Sequence, residues 1–454
     1  MRVTDMTAGK PGRLIMGFAL PMMAGNICQQ LYTIVDGAFV GRFAGVDALD
    51  AVGASDWLIW LFMGVLLGYT QGFSILISQR FGARDGAGLR QAVGVSITLT
   101  AVIALSLAAL TQILVAPVLT VLHTPPGVIY SQAVTYLRIL FAGLPIFAAY
   151  NVQAGILRAV GDSKTPLTSM LIASLTNICL DALFVIAFRW GVAGAAAATL
   201  IAQSVSALYC LRMIRRVPLL RLNKKDLRWD PPIVRRLIRL GSPTAAQNLV
   251  IGFGGMAVQR VINGFGREFI AGFTATNKIY GLMEMAAISY GAAISAYTGQ
   301  NFGAEQPRRI RDGIRASIFM SVVTSVLISA VLFLFGRPVL SLFVDPTEEK
   351  KELVLNVGQT YLRFMLAALA VLYLLYVYRS ALQGMGDTVT PMLSGVVELS
   401  MRVGAVMLLP LWLGQDGIYY AEPAAWLGAE VLLMITYYRR IKRLSGKTIQ
   451  TEGA

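Results

Sequence analysis

Apolar runs long enough to cross the roughly 30 Å hydrocarbon layer of a bilayer recur about every 35 residues, and this recurrence leaves few folds open. They fall at 14–41, 52–79, 92–114, 132–157, 166–188, 191–211, 237–263, 270–299, 314–335, 354–378, 390–412 and 418–438. The spacing predicts an all-α integral membrane protein with twelve transmembrane helices. Composition agrees, since a 454-residue chain that is 56% hydrophobic and 14% charged has too few charges to clothe a soluble globule.

The formal charge of +15 would suggest a nucleic-acid partner in a soluble protein. Here the Lys and Arg cluster in alternate connections, ten of them between Arg212 and Arg239, with Arg379 alone between the tenth and eleventh spans. By the positive-inside rule, both termini are expected to be cytoplasmic in the plasma membrane of a prokaryote, with the bilayer as partner and no nucleic acid. Arg2, Lys10 and Arg13 precede apolar sequence, but no small-residue cleavage site follows, and 14–41 is read as a retained first helix. Cys28, Cys179 and Cys210 form neither a disulfide framework nor a metal spacing and are read as small core residues.

The chain repeats itself. Gln79-Arg-Phe-Gly-Ala83 returns as Gln300-Asn-Phe-Gly-Ala304, and Tyr136-Leu-Arg138 as Tyr361-Leu-Arg363. Gly161-Asp162 with Thr165-Pro166 returns as Gly386-Asp387 with Thr390-Pro391, and Pro21 and Asn26 as Pro243 and Asn248. Six spans return the chain to its starting side, so the halves are expected as two parallel six-helix lobes. The expected divisions are an N-terminal lobe at 1–213, a basic cytoplasmic linker at 214–236, and a C-terminal lobe with a basic tail at 237–454.

Within the fifth span, Asn177 and Asp181 lie four residues apart and therefore on one face. A carboxylate at the centre of a membrane helix costs about 2.5–3.5 kcal/mol on insertion scales, so it is expected to face a polar interior and serve function. Asp36, the sole acid of the first span, is its expected partner. Pro21 removes the usual partner of the Gly17 carbonyl, producing either a static kink or a hinge.

The sequence has no GxxxxGK[ST] phosphate loop, and the single His123 stands in a loop beside Pro125 and Pro126, so neither an enzyme nor a cofactor is expected. In the second half, Glu398 and Arg402 have the spacing of a helical ion pair. Lys278 and Glu284, six apart, cannot pair along their helix, and Glu422, Glu430 and Asp56 are expected to meet water or a polar partner.

These features together resemble the multidrug and toxic compound extrusion (MATE) family of cation-coupled exporters. The resemblance covers essentially the whole chain: the doubled twelve-helix plan, Val35-Asp-Gly37, Val40-Gly-Arg42, the duplicated Gln-x-Phe-Gly-Ala, the Gly-Asp-x-x-Thr-Pro pair, and Asn177-Ile-Cys-Leu-Asp181 followed by Trp190-Gly-Val-Ala-Gly194. It implies a coupling site of Asp36, Asn177, Asp181 and Thr199, as in the branch that couples through the N-terminal lobe. The branch with a glutamate in the seventh span is not matched, because 237–263 contains no acid.

Two carboxylates, an amide oxygen and a hydroxyl suit sodium, and paired buried carboxylates equally suit a proton; the choice of ion stays open. The resemblance also implies a substrate cavity with Gln29, Tyr32, Tyr136, Asn151 and Met170, to which Glu284, Glu398 and Arg402 are added from the second half. The expected activity is that of a monomeric secondary-active multidrug exporter, with antiport of amphipathic or cationic organic compounds against H+ or Na+ by alternating access. The alternatives are a lipid-linked oligosaccharide flippase of the same superfamily and a passive receptor or channel. A flippase would call for a more extensive cationic groove than Arg138, Arg260, Lys278, Arg363 and Arg402 provide.

Overall fold

The computed structural model describes residues 3–121, 124–344 and 350–452, with backbone alone at 31, 32, 34–38, 40, 44, 46, 49 and 446–452. His123 lies outside these residues, as do the side chains of Tyr32 and Asp36. Among the described residues there is no β-strand, and fourteen α-helices make twelve passes once the fourth and fifth are taken together and the single-turn thirteenth is set aside. The first half contains α1 (Pro11–Phe39), α2 (Val46–Gly82), α3 (Gly86–Val121), α4 (Val128–Ala142), α5 (Leu144–Ala159), α6 (Lys164–Asp181) and α7 (Gly191–Arg215). The second contains α8 (Pro231–Ile262), α9 (Arg267–Gly303), α10 (Pro307–Ser341), α11 (Lys351–Gly384), α12 (Val389–Leu408), the single turn α13 (Pro410–Leu413) and α14 (Ala421–Glu452). Among the described residues, eight stretches are long and apolar enough to cross a membrane, or nine with α4 and α5 taken as one pass.

The fourth expected span is broken. Helices α4 and α5 meet at 45° around Gly143, where Pro145 opens the first turn of α5. Proline there supplies no N–H to continue the helix before it. A side chain at Gly143 would also strike Leu200, whose Cδ2 lies 2.0 Å from the position a methyl group would take.

The duplicated motifs prove to be helix termini. Gly161 and Gly386 take left-handed backbone, φ 86° and 83°, at the turns into α6 and α12. Asp162 Oδ1 accepts from the Thr165 amide at 3.0 Å and its Oδ2 from Thr165 Oγ1 at 2.6 Å; Asp387 repeats this with Thr390 at 3.1 and 3.0 Å. Each Asp satisfies donors that a starting helix leaves free, and the Pro that follows sits where no amide donor is required. Helices α2 and α9 both end on a left-handed residue, Arg84 and Glu305, each at φ 56°.

The glutamine of Gln-x-Phe-Gly-Ala receives the start of a first helix. Gln300 Oε1 accepts from the Met6 amide at 2.8 Å, just before α1, and Gln79 Oε1 accepts from Arg236 at 3.1 Å, near the start of α8. Arg309 adds bonds to the carbonyls of Met6 and Gly9, and the Met6 side chain is fully buried.

By contact density the chain forms two compact units. The first comprises Met1–Asp5 and Leu20–Ala246, the second Met6–Ala19 and Gln247–Ala454. Helices α1 and α8 are thus each divided, α1 beside Pro21 and α8 three residues after Pro243. The basic segment 214–236 and the first half of α8 belong to the first unit, so the contact boundary lies beyond the linker expected from charge. The reason is close packing: a methyl group at Gly68 or Gly72 of α2 would lie 2.3 Å from Ala245 Cα or 2.5 Å from Gly241 Cα of α8. A small-xxx-small stripe on each helix permits that approach.

Candidate ion-coupling site

Asn177 and Asp181 occupy the last turns of α6, on the face that packs along α7. Asn177 is 2% exposed and Asp181 fully buried. The approach of the helices follows from the sequence of α7, whose buried Gly194, Ala195, Ala196, Ala198 and Ala202 keep it narrow. Ser206 Oγ donates to the Ser169 carbonyl at 2.8 Å and ties the pair. Thr199 is half-buried on α7. Cys179, two residues past Asn177, is exposed on the opposite face and Cys28 is half-buried, so only Cys210 is the core residue expected of all three.

Immediately after Asp181 the helix widens into a π turn, Ala182–Ala187; a second, Val40–Ala44, follows α1, and the two touch. Such widened turns concentrate at functional sites. The helix that carries Asp36 therefore ends against the turn that follows Asp181, although the Asp36 side chain itself lies outside the described residues. Further down, Gly25 of α1 faces α6, and a methyl group there would meet Met170 Sδ at 3.4 Å.

Both amide atoms of Asn177 lack a hydrogen-bond partner among the described residues. A buried amide left so is costly and marks a place for water or an ion. A buried carboxylate one turn away, with a hydroxyl on the adjoining helix, supplies hard oxygen donors suited to a small cation. Among the described residues no three His, Cys, Asp or Glu stand together as a metal site would need.

The expected cavity residues differ in exposure and in partners. Gln29 is exposed on α1. Asn151 spends its amide on the Phe147 carbonyl of its own helix at 2.8 Å. Tyr136 packs in a core cluster with Ala48, Leu140, Val185, Val192, Ala195 and Ala196.

In the second unit Glu398 and Arg402 do pair, at 2.9 Å, inside a larger network than the sequence suggested. Glu398 also binds Arg379 at 2.8 Å, and Arg402 binds Glu422 at 2.8 Å. Glu284 accepts from Tyr280 at 3.0 Å and Tyr376 at 2.8 Å, while Lys278 is exposed. The Arg379 guanidinium lies 5.7 Å above the Tyr376 ring, joining the carboxylate of Glu284 to the ion-pair chain. Charge counting by segment put Arg379 in a cytoplasmic loop. The structure corrects this, because α11 continues to Gly384 and buries it.

A family model for MatE matches residues 21–183 and again 243–406, one match for each half of the repeat. The chain is 27% identical over 441 residues to "Probable multidrug resistance protein YpnP" of Bacillus subtilis, covering 97% of both chains. It superposes on two crystal structures of MATE transporters. One, in the bent conformation, has TM-score 0.91 and 24% identity, covering 99% of each chain; the other, in the straight conformation, has TM-score 0.90 and 23% identity, covering 98% of this chain and 99% of that one. The doubled helical plan, the buried Asn177 and Asp181 of the first half, and a family match that falls twice at the repeat interval together place this multi-pass membrane protein in the MatE family of transporters.

Proposed function

We propose that the chain is a secondary-active exporter that exchanges amphipathic or cationic organic compounds for H+ or Na+ by alternating access, as a monomer with both termini in the cytoplasm. The observation that carries this reading is the orphaned Asn177 amide one turn from the buried Asp181, beside a π turn. Asp36, Asn177, Asp181 and Thr199 receive the ion, and occupancy neutralises carboxylate charge that is costly within the bilayer. Ion and drug need only favour opposite-facing states, since each shifts the equilibrium by its differential affinity.

Pro21 is the proposed hinge. It stands where α1 passes from one compact unit to the other, and the two solved relatives are described as bent and straight. Gln29, Tyr32, Tyr136, Asn151 and Met170, with Glu284, Glu398 and Arg402, are proposed to serve the substrate path. The ion pairs of Arg379 and Arg402 favour drug efflux over carriage of a lipid-linked oligosaccharide, because these buried guanidiniums are already neutralised.

The test is transport by purified protein in liposomes, with proton and sodium gradients imposed separately. One gradient should drive uptake or release of a cationic dye above the rate with neither. Equal rates under all three conditions would exclude coupled export.

A further inference from the structure

A cavity of about 750 Å³ opens at the end of the first unit where α1 and α6 finish and α4 and α7 begin. Arg42, Arg189, Gln132 and Thr135 are among its lining residues, together with Trp190 and Val185. Among the described residues, its lining includes none of those proposed for ion or drug. Its chemistry is, among the described residues, of one sign: two guanidiniums and no carboxylate in the lining, with neither arginine in a hydrogen bond or ion pair. Gln132 Oε1 is buried and has no hydrogen-bond partner among the described residues.

The floor adds polarity in the same sense. Gly191, the first residue of the 25-residue helix α7, lines the cavity, and no side chain caps that terminus. Free amides and the positive end of the helix dipole favour an anion. The wall is aromatic: Trp190 stacks on Phe184 at 4.9 Å between centroids and leans on Phe188 at 5.4 Å, and exposed Phe43 also lines the cavity. Arg189 is held over the cavity in left-handed backbone, φ 56°, which a non-glycine residue seldom adopts.

We infer that this cavity is a binding site for an amphiphile with a net-anionic phosphate headgroup, with the phosphate between Arg42 and Arg189 and the apolar body against Phe43 and Trp190. Guanidinium forks match phosphate oxygens in geometry and charge, and the aromatic wall offers the non-polar contact that a bare inorganic anion would leave unused. Val185 belongs to the π turn that begins one residue after Asp181, so an occupant rests on the turn beside the candidate ion site. That this end faces outward rests on the topology proposed above; binding in detergent does not, so failure of one reading is distinguishable from failure of the other.

The phosphate could come from a membrane lipid or from a soluble molecule, and the experiment separates them. Full-length purified protein is analysed by native mass spectrometry in equal phosphatidylglycerol, whose phosphate charge is uncompensated, and phosphatidylcholine, whose phosphate is neutralised by its own choline. Its melting temperature is followed in sodium phosphate against sodium chloride at matched ionic strength. The variants are Arg42→Gln, Arg189→Gly and the double; glycine suits the backbone at 189, so loss of the guanidinium there should leave folding intact. Arg84→Gln, which removes an exposed charge elsewhere, is the control.

Retention of phosphatidylglycerol over phosphatidylcholine by the wild type should fall about tenfold for each arginine removed, as expected for a lost charge-assisted hydrogen bond, and should be unchanged in the control. A phosphate-specific melting shift abolished in the double variant would support the site with a soluble ligand as its source. An unchanged preference in the double variant, an equal loss in the control, or no discrimination by the wild type in either arm would overturn the inference.

Discussion

Among single side chains, Asp181 and Glu398 carry the sharpest contrast. Asp181→Asn keeps size and polarity but removes titratable charge at a position with 0% exposure. Gradient-driven efflux should be abolished while membrane insertion is retained, and Asp36→Asn should do the same. Wild-type rates in both, measured in liposomes at equal protein content, would defeat the coupling proposal. Glu398 joins two guanidiniums, so Glu398→Gln should lower stability by about 3–5 kcal/mol, the usual cost of stranding a buried charge. Removing the carboxylate partner of the exposed Lys350 with Glu268→Gln should cost much less than Glu398→Gln does. Thermal unfolding of both variants in detergent checks the ranking. Spacing along one helix made the Glu398–Arg402 pair legible in the sequence, and the same rule isolated Asn177 with Asp181. It also reaches Tyr280, four residues before Glu284, but it could not find Arg379, 19 residues from Glu398 on another helix, nor Tyr376, 92 residues from Glu284, because those partners are chosen by tertiary packing rather than helical period.

For whole helices, close approach makes its own prediction. Gly72→Ala places a methyl group 2.5 Å from the Gly241 backbone, where no side chain can rotate away. Prising α2 from α8 should cost about 1–3 kcal/mol, as overpacking does. Gly53→Ala, on the same helix but with no atom within 4 Å of the new methyl, should be neutral or stabilise by up to about 1 kcal/mol through helix propensity. Comparing their unfolding temperatures tests whether contact or glycine content governs α2. The helices themselves were legible because each apolar run must satisfy its backbone internally within the bilayer. The repeats were legible as well, and their chemistry explains why they recur: the Gly-Asp-x-x-Thr-Pro elements start α6 and α12, and the Gln-x-Phe-Gly-Ala elements finish α2 and α9. Hydropathy passed over the break at Gly143 and both π turns, since neither changes the apolar character of the run that contains it.

For the molecule as a whole, the division of α1 beside Pro21 gives the hinge proposal its test. Pro21→Ala restores a partner to the Gly17 carbonyl and should favour a straighter helix. Efflux should fall while cation protection of a cysteine probe near Asp36 persists; full activity would reduce Pro21 to a static kink, and loss of both would indicate a damaged fold. The proposed topology is open to labelling: in intact cells an epitope tag at Arg221 should be inaccessible from outside and one at Lys351 accessible. Charge distribution made that orientation readable, but it could not reveal which contacts divide the chain, because a helix can begin in one compact unit and end in the other without any change in polarity.

The burial of Met6 also sets an order of events during synthesis. Its amide is received by a side chain 294 residues downstream and its carbonyl by one 303 downstream. At the usual pace of translation, about 5–20 residues per second, roughly 15–60 s elapse between the emergence of Met6 and that of its receptor. Thr4 and Asp5 can meet Val160 and Arg84 well within that interval, but Met6 gains its own partners only once Gln300 and Arg309 have been made.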